Sequence, residues 1–164
     1  MFGDVAFAQA PFAALGGKAV DAALSETAAA SATFDALTNF GESMGLVFQL
    51  ADDIIDIASE SNESGKTPGT DLREGVPTLV TLHILESTDP KDAELKQLLS
   101  APIKDEILVQ ETIKNLRNHR AVEQSREVIS KYAAETRKHL ATLPAGNAKD
   151  ALVSLSEAVV SRTS

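Results

Sequence analysis

Gly45-Leu46-Val47-Phe48-Gln49-Leu50-Ala51-Asp52-Asp53-Ile54-Ile55-Asp56 decides the reading of this chain. At about 100° per residue, a helix brings Gln49, Asp52, Asp53 and Asp56 within about a third of its circumference. Leu46, Val47, Phe48, Leu50, Ala51, Ile54, Ile55 and Ile57 take the rest. A helix so apolar belongs in a protein interior. The acidic stripe is therefore expected to face a polar cavity and not open water.

Carboxylates at i, i+1 and i+4 repel. At about 6 Å and an effective dielectric near 20, each pair costs on the order of 3 kcal/mol. No Lys or Arg lies between Asp35 and Ala58 to relieve them. Either one carboxylate takes up a proton, its pKa raised by its neighbours, or a cation is supplied. Mg²⁺ takes oxygen ligands, commonly one or two carboxylates, several waters and substrate phosphates. The bland alternative is a solvated acidic face. The apolar remainder of the helix and the missing cationic partners favour the metal.

The whole chain bounds the answer further. Its 164 residues suffice for one domain with a real core. There is no cysteine, hence neither a disulfide framework nor a thiolate metal site. A net charge of −9 argues against nucleic acid and anionic membranes as partners. No apolar run reaches transmembrane length, and Met1 is not followed by a signal-type segment. The expected location is cytoplasmic. Abundant alanine, few aromatics and no sustained β-type alternation predict an all-α chain.

Helices are expected over 5–15, 18–34, 35–58, 76–85, 91–99, 105–116, 121–143 and 148–160, with Asp35 as an N-cap. Pro11 interrupts the first, and Pro77 sits in a first turn, where it is tolerated. Between Ser59 and Gly75 lies a polar loop, long for a compact domain and therefore a functional candidate. Arg73 and Glu74 read as a surface ion pair of little weight. His83, His119 and His139 are not spaced as a ligand set. The last third reads as packing helices without chemistry.

The stripe, followed by Gly65-Lys66, Gly69-Thr70-Asp71-Leu72-Arg73-Glu74-Gly75 and Pro77-Thr78-Leu79, resembles the C-terminal half of a trans-type polyprenyl diphosphate synthase, with details similar to actinobacterial members. The likeness is close from Asp35 to about Leu85 and looser beyond. It implies an isoprenoid synthase-type antiparallel helical bundle around a central cavity. It also implies a reaction in which an allylic diphosphate ionises and the double bond of isopentenyl diphosphate attacks, with Mg²⁺ on the leaving diphosphate. By this resemblance Asp52, Asp53 and Asp56 match the second aspartate-rich motif as metal ligands. Asp52 and Asp56 are the leading ones, and Asp52 and Lys66 the catalytic pair. Lys66 matches a loop lysine on the diphosphate. Gln49 matches a polar residue in the same cavity, and Phe48 one near the prenyl-chain and isopentenyl site. A homodimer is implied in the same way.

The chain departs from the family's pattern. The first aspartate-rich motif is missing, since Asp4 and Asp21 are the only aspartates before Asp35. The arginine pair after that motif is absent, and Arg73 is the first arginine. Ser25-Glu26-Thr27 does not match the family's Lys-Thr pair, and Val76 stands where many members carry a lysine. Segments resembling separate parts of the family adjoin one another, which predicts a composite with junctions near Ala28–Ala30 and Phe34/Asp35. Residues 1–164 are expected to form a single helical domain within a larger one, with the motif region at 35–86. The chain alone is expected to be inactive, because half of the metal cage is absent. Two alternatives share the fold: a non-catalytic subunit of a heteromeric synthase, and a terpene cyclase-like protein. The intact stripe and Lys66 argue against the first. The missing Asn/Ser metal motif argues against the second.

Overall fold

The computed structural model describes residues 17–58 and 68–163, with side-chain surroundings from residue 24 onward. All regular structure among them is helical: α1 (Gly17–Ala58), α2 (Thr70–Glu74), α3 (Leu79–Leu85), α4 (Ala93–Leu99), α5 (Glu106–Arg117), α6 (Arg120–Lys138) and α7 (Asn147–Ser161). Short 3-10 turns at Pro90–Asp92 and His139–Thr142 lead into α4 and extend α6. The helix expected over 5–15 lies outside the described residues.

Two expected helices, 18–34 and 35–58, are one. α1 runs unbroken for 42 residues through both expected junctions, about 63 Å at 1.5 Å per residue. Asp35 is an exposed interior residue of it, not a cap. The alanine-rich sequence before Asp35 favours continuation. Thr33 Oγ1, a potential helix competitor, instead donates to the Ala29 carbonyl at 2.8 Å within the helix.

Ala36, Phe40, Met44, Val47, Ala51, Ile54 and Ile57 recur at helical spacing and form the buried side of α1. They pack against α6 and its 3-10 extension, and also meet α3, α5 and α7. From α6 come Val122, Ile129 and Ala133, from α5 Val109, Ile113 and Leu116, and from α3 Val80 and Ile84. Each fully buried Ile or Leu contributes about 1.5–3 kcal/mol relative to exposure. Hydroxyls in this interior are satisfied locally. Thr112, Ser125 and Thr136 donate to the carbonyls of Leu108, Ala121 and Tyr132, at 2.7, 2.8 and 2.8 Å.

Contrary to expectation, α1 is not buried all round. Phe34, Leu37, Leu46 and Phe48 are exposed, and added Cβ atoms at Gly41 and Gly45 would meet nothing within 4 Å. Before Ala36 no described side chain of α1 is buried.

The loop expected over 59–75 contains α2, flanked by Gly69 (φ +82°) and Gly75 (φ +72°). α3 begins after Pro77, because Thr78 and Thr81 form a reciprocal capping box. Asp105 caps α5 by accepting from the Leu108 amide at 3.0 Å. His119 caps α6 by accepting from the Ala121 amide at 3.1 Å, while its Nε2 lies 3.1 Å from Asp92 Oδ1. Arg120 then reaches Asp89 and Asp92, each at 2.7 Å. The connection before α4 is thereby tied to the start of α6.

Candidate metal centre

The acidic stripe occupies the last two turns of α1. Ala51, Ile54 and Ile57 on one side are buried against the other helices, which leaves Asp52, Asp53 and Asp56 half-buried at the margin. Phe48 and Gln49, one turn earlier, are exposed on the same flank. Asp52, Asp53, Asp56 and Gln49 thus share one flank of α1, and Phe48, grouped by periodicity with the apolar remainder, borders it. Lys66 lies outside the described residues.

Each aspartate has its own surroundings. Asp52 Oδ1 lies 3.3 Å from the Arg162 guanidinium, which also stacks 5.2 Å above the centre of the Phe48 ring. Asp53 accepts from Gln49 Nε2 at 3.3 Å. Partial burial, then repulsion from Asp52 and Asp56, pushes its carboxyl above the usual carboxylate range, against the lowering effect of Gln49. Asp56 accepts from the Gly69 amide at 3.0 Å, which joins the stripe to the turn before α2. The repulsion inferred from spacing is thus answered in two ways at once: by a raised proton affinity at Asp53 and by a cation brought from 110 positions away.

These residues fit a hard divalent cation in kind. The donors are carboxylate oxygens, and the excess negative charge falls on a half-buried surface. They do not form a closed cage, since among the described residues no three carboxylate or imidazole groups converge as a metal-holding cluster. The set suits an ion held by one or two aspartates, with water and ligand oxygens completing its shell, as is usual for Mg²⁺.

Sequence reasoning missed Arg162 and Arg117. Arg162 follows a helix that reads as plain packing. Arg117 Nε donates to the Ile57 carbonyl at 2.8 Å, holding the end of α1 on α5. Neither has a local signal, because their partners are distant in sequence. The expected Arg73–Glu74 pair is corrected. Arg73 points instead to Glu106 across the α2–α5 contact, at 2.7 Å. Two parallel N–H···O bonds hold a guanidinium better than one flexible neighbour on the same turn.

A family model for polyprenyl synthetases matches residues 13–116. Nonaprenyl diphosphate synthase of Mycobacterium tuberculosis is 45% identical over 126 residues, covering 77% of this chain and 38% of that protein. A short chain isoprenyl diphosphate synthase of Methanothermobacter thermautotrophicus is 33% identical over 128 residues, covering 77% and 39%. Among solved structures, geranylgeranyl pyrophosphate synthase of Corynebacterium glutamicum, complexed with calcium and isoprenyl diphosphate, superimposes with a TM-score of 0.72. It is 39% identical, and the match covers 79% of this chain and 40% of that one. Polyprenyl synthase of Caulobacter crescentus, also with calcium and isoprenyl diphosphate, gives a TM-score of 0.72 at 30% identity, covering 82% and 41%. The all-α architecture is accordingly that of the isoprenoid synthase-type helical bundle, and the chain spans about two-fifths of the length of these relatives. The chain belongs to the polyprenyl synthetase family.

Proposed function

We propose that this chain supplies one wall of a Mg²⁺-dependent prenyltransferase site. There an allylic diphosphate condenses with isopentenyl diphosphate and inorganic diphosphate is released. The observation that carries this reading is the half-buried Asp52, Asp53 and Asp56 stripe within the family match. The calcium and isoprenyl diphosphate bound by the Corynebacterium relative support the ligand class.

In this reading Asp52 and Asp56 hold the metal, with Asp53 as the third carboxylate. Mg²⁺, when bound, would stabilise the negative charge that develops on the leaving diphosphate. Gln49 orients Asp53 through its hydrogen bond. Lys66 neutralises diphosphate oxygens, an assignment that rests on its place in the motif. Phe48 offers an apolar ring to the prenyl chain. Residues 1–164 act as part of one larger helical domain, with 35–86 carrying the motif region. The whole protein works as a cytoplasmic homodimer. No described helix is long and apolar enough to cross a membrane.

The test is product formation from an allylic diphosphate, isopentenyl diphosphate and Mg²⁺. A family-length protein carrying these residues should elongate the substrate, and Asp52→Asn should lower kcat at least a hundredfold. The 164-residue chain alone should give no product. Diphosphate release without elongation would point to a cyclase. Activity that appears only on addition of a second chain would point to a heteromeric subunit. Elongation indifferent to Asp52 would overturn the reading.

A further inference from the structure

Asp56 is oriented from outside its helix, and the orienting groups form a connected chain. Its Oδ2 accepts from the Gly69 amide at 3.0 Å. Gly69 belongs to a turn that cannot easily move. Its φ of +82° suits glycine, and a Cβ there would approach Ile113 Cδ1 to 2.7 Å and Val109 Cγ1 to 2.9 Å. α5 therefore presses directly against the backbone that points at Asp56.

The same turn is gripped from its other side. Arg73 Nη1 donates to the Pro68 carbonyl at 2.8 Å, and the Arg73 amide donates to the Gly69 carbonyl at 3.1 Å. The peptide between Pro68 and Gly69 thus has its carbonyl fixed by Arg73 and its N–H committed to Asp56. Arg73 is anchored in turn by Glu106, with Nε at 3.0 Å from Oε2 and Nη2 at 2.7 Å from Oε1. Gln110 Nε2 donates to Glu106 at 2.9 Å, and Lys104 Nζ to the Arg73 carbonyl at 2.9 Å. The guanidinium fork holds the Glu106 carboxyl down at about 2, so the pair stays ionised throughout the neutral range.

We infer that Arg73, braced by Glu106, is a positioning residue for the candidate metal ligand Asp56, acting through the Pro68–Gly69 peptide. This rests on the metal reading proposed above. The amide itself is a neutral donor, while the Arg73 guanidinium behind it also attracts Asp56 electrostatically. A cationic side chain in the same place would orient Asp56 and weaken its hold on a divalent ion together. Support of this kind commonly alters metal affinity by about 10–100-fold.

Two readouts test it. The first needs no metal. The Gly69 amide, followed by NMR hydrogen exchange in the metal-free chain, should be protected in wild type and lose protection in Arg73→Met. The isosteric Glu106→Gln should show an intermediate loss. The second is Mn²⁺ binding by EPR. Arg73→Met should weaken it about tenfold, Glu106→Gln should weaken it less, and Asp52→Asn/Asp56→Asn should abolish it. Wild-type protection of Gly69 in a folded Arg73→Met, or wild-type Mn²⁺ affinity there, would overturn the positioning role. Unchanged Mn²⁺ binding in the double Asp variant would overturn the metal reading itself, and the role with it. Glu106→Gln preserves size and one hydrogen bond, and so keeps the question answerable if Arg73→Met fails to fold.

Discussion

Arg162 lies 3.3 Å from Asp52 and 5.2 Å from the centre of the Phe48 ring. A residue just beyond α7 thus touches both a proposed metal ligand and a proposed prenyl contact. Under the proposed metal reading, a side chain in this place competes with the divalent cation for Asp52. Arg162→Gln should therefore raise Mn²⁺ affinity in the absence of diphosphate, by roughly two- to fivefold for a half-exposed charge at this dielectric. The stability cost should stay below about 1 kcal/mol, as expected for an exposed ion pair and cation–π contact. Calorimetric titration reads the first and denaturant unfolding the second. Weaker Mn²⁺ binding in Arg162→Gln would show that Arg162 supports the ion.

Asp53 makes the metal-free protein sensitive to pH in a direction opposite to most carboxylates. Its folded-state pKa is raised, first by burial and then by Asp52 and Asp56. Its contribution to stability is therefore complete below the unfolded value of about 3.9 and is lost as pH rises through the folded value. At pH 7 the charge opposes folding. Asp53→Asn should raise the metal-free Tm at pH 7, by about 1–3 °C for a domain of this size, and the gain should vanish below about pH 4. Saturating Mg²⁺ should reverse the order of the two proteins. Thermal unfolding at several pH values, with and without Mg²⁺, measures all of this.

Gly69 and Gly41 should respond oppositely to the same change. Gly69→Ala forces a Cβ to 2.7 Å from Ile113 at a left-handed φ and should cost about 1–3 kcal/mol. Gly41 lies inside α1 with nothing within 4 Å of an added Cβ. Gly41→Ala in the 164-residue chain should stabilise by about 0.5–1 kcal/mol, the usual gain in a helix interior. Denaturant midpoints decide both. A neutral Gly69→Ala would mean that α5 can retreat from the turn.

What could be read from the sequence divides along a physical line. The stripe was legible because three aspartates among isoleucines and leucines violate the expected pattern locally. Apolar spacing placed the helix over 105–116, which Asp105 caps, whereas the helix expected from 76 starts only at Leu79, after the Thr78 cap. Asp35 misled: it looks like a cap, but the buried series from Ala36 through Ile57 and the alanines before it carry one helix through. Arg73 has an acidic neighbour in Glu74, whereas its partner, Glu106, is 33 positions away. Arg162 and Arg117 are cases of the same kind. Periodicity and capping are short-range signals, and long side chains that cross between helices leave no such trace.

The length of α1 has a further effect at its acidic end. The peptide dipoles of a long helix add to roughly half a negative charge at the C-terminus. α1 is described as far as Ala58, and no basic residue stands in its last described turn. Arg117 covers the Ile57 carbonyl from another helix. The potential here is thus negative before any side chain ionises, and Asp56, nearest the end, feels it most. With all three aspartates replaced by asparagine, the backbone would still contribute about 0.3–1 kcal/mol of attraction for a cation, but the charges of Arg117 and Arg162, no longer balanced by those carboxylates, would outweigh it.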